Sequence, residues 1–234
     1  MVKERSIIFD AGPIISLTTN NLLWILEPLK KAFGGSFFIT PSVKRELVDV
    51  PLLNKRYKFE ALQVLRFIEQ GILQVLDYKT FAQEGQKLSS LANKSFSARG
   101  RNLRLFQTAE MDVIAAAIMY EAESVVIDER TTRMMIEQPR DLKKVVEHRL
   151  HTKVKLDRGN SNDFRKKTKK VKLLRSTELV MMAYELGLLD EYVGKIPEAR
   201  KELLQSVLWG LKIRGCSVTQ EEIDEAVRFE LKGR

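Results

Sequence analysis

The apolar residues of this chain fall into short unbroken runs that alternate with longer segments of helical spacing. Four of these runs predict strands: Ser6–Phe9, Ser36–Ile39, Ile72–Leu76 and Glu123–Ile127. The segments between them repeat apolar residues every three or four positions, which predicts helices over Leu22–Phe33, Phe59–Glu69 and Ala109–Glu121. Strands that alternate with helices favour βαβ units and a parallel sheet. Apolar runs without polar alternation are typical of a sheet covered on both faces.

Capping residues support these boundaries and predict further helices. Asn21 and Thr108 precede predicted helices, Thr40 is followed by Pro41 at a first helical position, and Thr219 with Glu222 forms a capping box. The later predicted elements are helices over Arg130–Ile136, Asp141–Leu150, Ser176–Leu189, Pro197–Arg214 and Gln220–Leu231, and an edge strand over Thr152–Leu156.

Two segments interrupt this pattern. Residues 83–106 are rich in Ser, Asn, Gly, Lys and Arg, which predicts a loop-rich insert or a loosely packed helix pair. Residues 158–172, RGNSNDFRKKTKKVK, predict a charged, mobile loop. The predicted organisation is an α/β domain over residues 1–190 that carries both segments, followed by a helical C-terminal extension over 191–234. The apolar stripe of that extension serves either a packed core or a dimer interface.

Carboxylates stand at the ends of the apolar runs or at helix starts. Asp10 ends IIFD, Glu46 lies in TPSVKREL, Glu110 and Asp112 lie in TAEMDVIAAA, and Asp128 ends VVID. The carboxyl ends of parallel strands form the binding edge of an open α/β sheet, and Asp10 and Asp128 both occupy that position. Because gathered carboxylates repel one another, a chain that assembles them typically binds a divalent cation.

Composition narrows the chemistry further. Forty Lys and Arg against 31 Asp and Glu give a formal net charge of +9, which attracts polyanions or simply maintains solubility. One cysteine, Cys216, excludes an intrachain disulfide, and His148 and His151 have no neighbouring zinc ligands. The N-terminal sequence lacks a signal-peptide pattern, and no stretch approaches the roughly 20 apolar residues of a membrane span. We therefore expect a soluble cytoplasmic protein without a membrane partner.

The order of the four acidic segments resembles that of the PIN domain, a family of metal-dependent nucleases that includes virulence-associated toxin ribonucleases. The family's first acid ends strand one, as Asp10 does; its second follows strand two, as Glu46 does; its third opens a small-residue helix, as Asp112 does. Asp128 matches the fourth acid, which ends the next strand. The resemblance covers roughly residues 6–190. It implies a three-layer α/β fold, with a central mostly parallel sheet flanked by helices, and catalytic Asp10, Glu46, Asp112 and Asp128.

The sequence departs from the family at several points. Ala11 stands where many members carry a hydroxyl residue, and the chain is longer than a typical toxin. Glu110 is a second candidate beside Asp112, but residues two apart on a helix point about 200° apart. Glu110 therefore serves either as a metal ligand in a distorted first turn or as a favourable charge at the helix N-terminus.

The resemblance implies one or two Mg²⁺ or Mn²⁺ ions held by Asp10, Asp112, Asp128, Glu46 and Glu110, and hydrolysis of RNA by an activated water. The candidate phosphate-binding residues are Arg130, Arg133, Arg165, Lys166, Lys167, Lys169, Lys170 and Lys172. RNA, a homodimer partner and an antitoxin or other protein are the expected partners. The alternative is a non-catalytic module of the same fold that binds nucleic acid or protein.

Overall fold

A five-stranded parallel sheet forms the centre of the computed structural model, which describes residues 5–232. Its strands are β1 (Ser6–Phe9), β2 (Ser36–Ile39), β3 (Leu73–Val75), β6 (Ser124–Val126) and β8 (Leu173–Leu174). They lie in the order β3-β2-β1-β6-β8. β1 pairs in register with β2, from Ser6 opposite Ser36, and with β6, from Ile7 opposite Ser124. The α/β class and the central parallel sheet agree with the sequence prediction.

Helices flank this sheet, and most of them begin and end within a few residues of the predicted bounds. They are α1 (Ala11–Thr19), α2 (Leu26–Phe33), α3 (Pro41–Lys44), α4 (Val50–Leu52), α5 (Lys58–Glu69), α6 (Ala82–Lys94), α7 (Thr108–Met119), α8 (Arg130–Glu137), α9 (Pro139–Leu150), α10 (Arg158–Thr168), α11 (Ser176–Glu185), α12 (Ala199–Ile213) and α13 (Gln220–Lys232). Short 3₁₀ turns occupy Leu23–Ile25, Tyr78–Thr80 and Asp190–Tyr192, and a π-helical turn occupies Arg45–Asp49.

Local chemistry accounts for several of these boundaries. Thr40 Oγ1 accepts a hydrogen bond from the Val43 N–H and caps α3, whose first residue is Pro41. Gly34 ends α2 in the left-handed conformation, with φ of 65°. All four residues of β1 are buried, as a strand covered on both faces requires. The predicted Thr40 cap is thus confirmed, whereas Asn21 and Thr108 are not caps: Asn21 lies before the helix with φ of 56°, and Gln107 is the N-cap of α7.

The segment 83–106 is not a loop-rich insert. It holds most of α6 and two short strands, β4 (Phe96–Ala98) and β5 (Arg101–Asn102). α6 buries Gly85, Leu88 and Ala92 and packs against α7. β4 pairs antiparallel with β5 and with β7 (Lys155–Leu156) in a second, three-stranded sheet. The predicted edge strand therefore extends this second sheet and not the central one.

The segment 158–172 is also more ordered than predicted. Eleven of its residues form α10, which Asp157 caps by accepting from the Asn160 N–H at 2.9 Å. α10 buries Ser161, Phe164 and Thr168 and leaves its basic side chains on the outside. Residues 11–19, for which the sequence pattern predicts no helix, form α1 directly after Asp10.

The C-terminal extension packs into the same hydrophobic core as the sheet. Leu204, Leu208 and Leu211 of α12 are buried and belong to one continuous cluster with the residues of β1 and β6. The apolar stripe of α12 thus covers the core of its own chain. Within residues 5–232, no helix is both long and apolar enough to cross a membrane.

Candidate metal and nucleic-acid site

Two acids follow neighbouring strands at the carboxyl edge of the central sheet. Asp10 comes directly after β1, and its N–H donates to the carbonyl of Val126, the last residue of β6, at 2.9 Å. Asp128 lies two residues after Val126. A Cβ added to Gly12 would lie 3.7 Å from Asp10 Oδ2 and 3.6 Å from Asp128 Cβ. The first turn of α1 therefore lies against both strand-end acids.

Asp10 is the centre of a group of carboxylates that we call the acid cluster: Asp10, Glu46 and Glu110. Burial, together with the negative charges of Glu110 and Glu46, raises the pKa of Asp10 to about 7. The N–H groups of Ala11 and Gly12 oppose this rise, although their geometry falls short of a regular cap. No Lys or Arg among residues 5–232 forms an ion pair with any member of the cluster.

Glu110 joins the cluster from the first turn of α7. Its Oε2 accepts from the Thr132 hydroxyl of α8 at 2.8 Å and from the Gln107 N–H at 3.2 Å, which completes a capping box. Burial raises the pKa of Glu110 to about 7, with further contributions from Glu129 and Glu46, while the Thr132 hydrogen bond opposes the rise. Glu110 is thus both a cap residue and a member of the cluster.

Glu46 completes the acid cluster from the π-helical turn between α3 and α4. Its side chain is exposed, but neighbouring protein atoms remove part of its hydration and raise its pKa. A π-helical turn often marks a functional position. Beside Glu46 lies a cavity of about 400 Å³, whose lining includes Tyr57 and Arg214.

Asp112 lies against Ser42 and Gly85. Its Oδ2 accepts from the Ser42 hydroxyl at 3.3 Å, and its buried Oδ1 has no hydrogen-bond partner. A Cβ added to Gly85 of α6 would lie 2.5 Å from Oδ1. Burial raises the pKa of Asp112, and the Ser42 bond opposes this. Of the two acids of α7, Glu110 is the one whose charge raises the pKa of Asp10.

Asp128 is buried and fully hydrogen-bonded. Oδ1 accepts from the Ser176 N–H at 2.8 Å and from the Cys216 thiol at 3.3 Å. Oδ2 accepts from the Ser176 hydroxyl at 2.8 Å and from the Ser16 hydroxyl at 3.2 Å. A carboxylate has about four acceptor sites, and all are occupied here. The role of Asp128 as a metal ligand stays a prediction. It would require some of these donors to move away.

The acid cluster has the donor chemistry that suits Mg²⁺ or Mn²⁺. Its oxygens are hard ligands, and a cation would offset the repulsion that raises the pKa of Asp10 and Glu110. Within the described residues, however, no three His, Cys, Asp or Glu side chains converge closely enough to hold one ion. Mg²⁺ commonly takes one or two protein carboxylates and keeps several waters, so this separation fits a partly hydrated ion.

The predicted basic residues divide between two surfaces. Arg130 and Arg133 lie on α8, and Arg165 lies on α10 with its side chain exposed. Lys166 and Lys167 form ion pairs with Asp163 and Glu84, at 3.3 and 2.7 Å. The remaining lysines, Lys169, Lys170 and Lys172, are exposed beyond the end of α10.

The sequence interpretation missed the hydroxyl and thiol donors that hold these acids. Ser16, Ser176 and Cys216 are 112, 48 and 88 residues from Asp128, so no local pattern connects them to it. The sequence hints at Thr132 only weakly, because this residue follows Asp128 and Glu129 at the start of a helix and so lies near a predicted site acid. Burial and the Asp128 charge raise the pKa of the Cys216 thiol to about 12, which disfavours the thiolate form that acts as a nucleophile.

Comparison with known proteins finds no matching family model, no matching curated protein and no matching solved structure.

Proposed function

We propose that this chain is a PIN-like, metal-dependent endoribonuclease that hydrolyses phosphodiester bonds of RNA. The observation that carries the proposal is the acid cluster, which gathers buried Asp10, partly buried Glu110 and exposed Glu46 near the carboxyl edge of a parallel sheet, without an ion-pair partner among residues 5–232. Sites of open α/β proteins form at this edge. The net charge of +9 supports a polyanionic substrate, since the acidic site belongs to a basic protein.

Asp10 and Glu110 would hold a Mg²⁺ or Mn²⁺ ion, with Glu46 acting directly or through a water. When bound, the cation would activate a water for attack on phosphorus and offset the charge that develops on the phosphate oxygens. Thr132 fixes Glu110 by donating to Oε2, which leaves Oε1 without a hydrogen-bond donor among the described residues. Asp128 and its four donors hold β6, α1 and α11 together beneath the site.

Asp10 can also exchange a proton near neutral pH, because its pKa is about 7 in the absence of a cation. Hydrolysis joins a water oxygen to phosphorus, breaks a phosphorus–oxygen bond to the ribose and releases one proton. A cation binds the ionised carboxylates, so the acid cluster has to lose its own protons first. We therefore expect low activity below neutral pH.

The test is cleavage of a labelled, mixed-sequence single-stranded RNA by purified protein with Mg²⁺, Mn²⁺ or EDTA. Asp10→Asn is the inactive variant, and Glu69→Gln is the control, since Glu69 is an exposed carboxylate on α5. The proposal predicts metal-dependent cleavage by the wild type and by the control, and none by Asp10→Asn. Equal cleavage by Asp10→Asn would exclude the acid cluster as the active site.

The second candidate function is a non-catalytic module that binds a protein partner. It is favoured by large apolar side chains that stay exposed near Glu46: Leu53, Phe59 and Ile213 are 87%, 71% and 74% exposed. Metal binding without cleavage of any RNA would favour this alternative. A homodimer, an antitoxin and a cytoplasmic location stay predictions under either function.

A further inference from the structure

Two surface grooves meet at the C-terminal end of α8. The first, of about 440 Å³, lies between α8 and the segment before α13, and its lining includes Arg130 and Arg133. The second, of about 390 Å³, is lined by residues that include Arg140 of α9 and Arg158 and Arg165 of α10. Glu137 and Gln138 line both grooves. The two grooves therefore adjoin at Glu137 and Gln138, and together we call them the arginine groove.

The arginine groove is lined by arginine side chains without partners in the described part of the chain and by carboxylates that already form ion pairs. The side chains of Arg130, Arg140, Arg158 and Arg165 are exposed and form no hydrogen bond or ion pair within residues 5–232. The carboxylates around them already have partners of their own. Asp141 pairs with Lys144 at 2.9 Å, Glu222 with Arg175 at 2.9 Å, and Glu137 more loosely with Arg133 at 3.9 Å. The groove therefore presents unpaired guanidinium groups to solvent.

α8 connects the arginine groove with the acid cluster. Thr132, in the first turn of α8, donates to Glu110, while Glu137 at the other end of the helix lines both grooves. A helix of eight residues is about 12 Å long. A chain that lies in the groove thus passes from the arginines of α9 and α10 to the edge of the acid cluster.

We propose that the arginine groove holds consecutive phosphates of a single RNA strand and leads that strand to the acid cluster. The proposal rests on the proposed function, because it takes RNA as the substrate of that site. Guanidinium groups bind phosphate through paired N–H donors, which suits arginine better than lysine. Such contacts fix the position of the strand and read no sequence. The groove thus replaces the lysines after α10 as the main phosphate-binding surface and adds Arg140 and Arg158 to it.

The experiment measures binding of a fluorescein-labelled 12-nucleotide single-stranded RNA by anisotropy, in EDTA and over a range of salt concentrations. All proteins carry Asp10→Asn, so the RNA stays intact. The test variant adds Arg140→Ala, Arg158→Ala and Arg165→Ala. The matched control removes three charges outside the groove, through Lys169→Ala, Lys170→Ala and Lys172→Ala. All six side chains are exposed, and thermal melting verifies that each variant folds.

The expected result is a loss of affinity of roughly tenfold or more in the arginine variant, with the slope of log K against log salt reduced by about 2. The lysine control should bind within about threefold of the parent. Binding that falls in the lysine control and stays unchanged in the arginine variant overturns the groove assignment but leaves the nuclease proposal intact. Displacement of the RNA by poly-glutamate as readily as by unlabelled RNA also overturns it, because the groove would then be a site for acidic protein segments.

The outcomes distinguish a failure of the groove assignment from a failure of the nuclease proposal. A wild type that cleaves no RNA while the arginine variant loses binding contradicts the nuclease and supports the groove. A parent that binds no RNA at any salt concentration overturns the groove, while cleavage by the wild type decides the nuclease proposal.

Discussion

Asp128 accepts two hydrogen bonds from Ser176, one from the main-chain N–H at 2.8 Å and one from the hydroxyl at 2.8 Å. Ser176 is the first residue of α11, so the carboxylate lies at the positive end of that helix, which favours a negative charge. Ser16 and Cys216 fill its remaining acceptor sites from α1 and from the C-terminal extension. Asp128 therefore joins four parts of the chain around the end of β6.

This arrangement predicts that Asp128→Asn destabilises the protein. The amide keeps the size of the side chain but replaces an acceptor with a donor that faces other donors. The expected loss is about 2–4 kcal/mol in the free energy of unfolding, as for a broken buried network around a charge. Chemical denaturation measures it, with Glu69→Gln as the neutral control. An unchanged free energy of unfolding in Asp128→Asn would show that the hydrogen bonds of Asp128 do not support the fold.

Asp10→Asn should act in the opposite direction when no metal is present. Asp10 has a pKa of about 7 against an ordinary 3.8, so its ionised form is unfavourable in the folded chain. A difference of about three pH units corresponds to about 4 kcal/mol, and we expect a gain of about 1–4 kcal/mol at pH 8 in EDTA. Loss of stability in Asp10→Asn at this pH would contradict the electrostatic strain attributed to the acid cluster.

The same shift predicts how metal-free stability varies with pH. An acid whose pKa is higher in the folded than in the unfolded chain holds its proton more tightly when folded. For Asp10 this contribution is complete below about pH 4 and is lost as the pH rises through about 7, and Glu110 follows the same direction. The melting temperature in EDTA should therefore fall between pH 5.5 and 8 more steeply in the wild type than in Asp10→Asn. Parallel pH profiles for the two proteins would contradict the prediction.

Much of the central fold follows from short-range sequence patterns. The apolar runs of β1, β2 and β6 and the Thr40-Pro41 cap predict the parallel sheet and α3, because each signal lies within a few residues. The sequence leaves a helix in the α6 segment as one of two alternatives and misses α10, because few residues of these helices are buried and their exposed faces are strongly polar. α10 buries Ser161, Phe164 and Thr168, a spacing that indicates a helix only when small polar residues count as core.

The candidate site is less predictable than the sheet. The sequence gives the positions of its acids, and the paired ends of β1 and β6 explain why Asp10 and Asp128 lie close together. It does not give the direction of each side chain, which depends on distant partners such as Gly85 for Asp112 and Cys216 for Asp128. The predicted metal roles of Glu110 and Asp112 stay predictions, and the two side chains have different partners: Glu110 accepts from Thr132, and Asp112 accepts from Ser42.

Gly85→Ala tests the packing of α6 against Asp112. The added Cβ would lie 2.5 Å from Asp112 Oδ1, closer than any normal contact, so the carboxylate or the helix has to shift. We expect a loss of about 1–3 kcal/mol in stability. Gly194→Ala is the control, because nothing lies within 4 Å of its added Cβ. Equal stability of the two variants would show that α6 does not pack as tightly as described.

Glu110→Gln and Asp112→Asn separate the two acids of α7. Glu110 lies in the acid cluster and Asp112 faces Gly85, so Glu110→Gln should lower Mn²⁺-dependent cleavage by at least about tenfold. Asp112→Asn should lower Mn²⁺ affinity less than Glu110→Gln does. If instead Asp112→Asn abolishes Mn²⁺ binding and Glu110→Gln does not, the side chain of Asp112 turns into the site when metal binds.

The most direct measurement is calorimetric titration of Mn²⁺ into the wild type, Asp10→Asn and Glu69→Gln at pH 8, where the acid cluster is ionised. The account predicts saturable binding to the wild type and to Glu69→Gln, and loss of that binding in Asp10→Asn. Mn²⁺ binding of equal affinity in all three proteins, or in none, would contradict a cation site at the acid cluster.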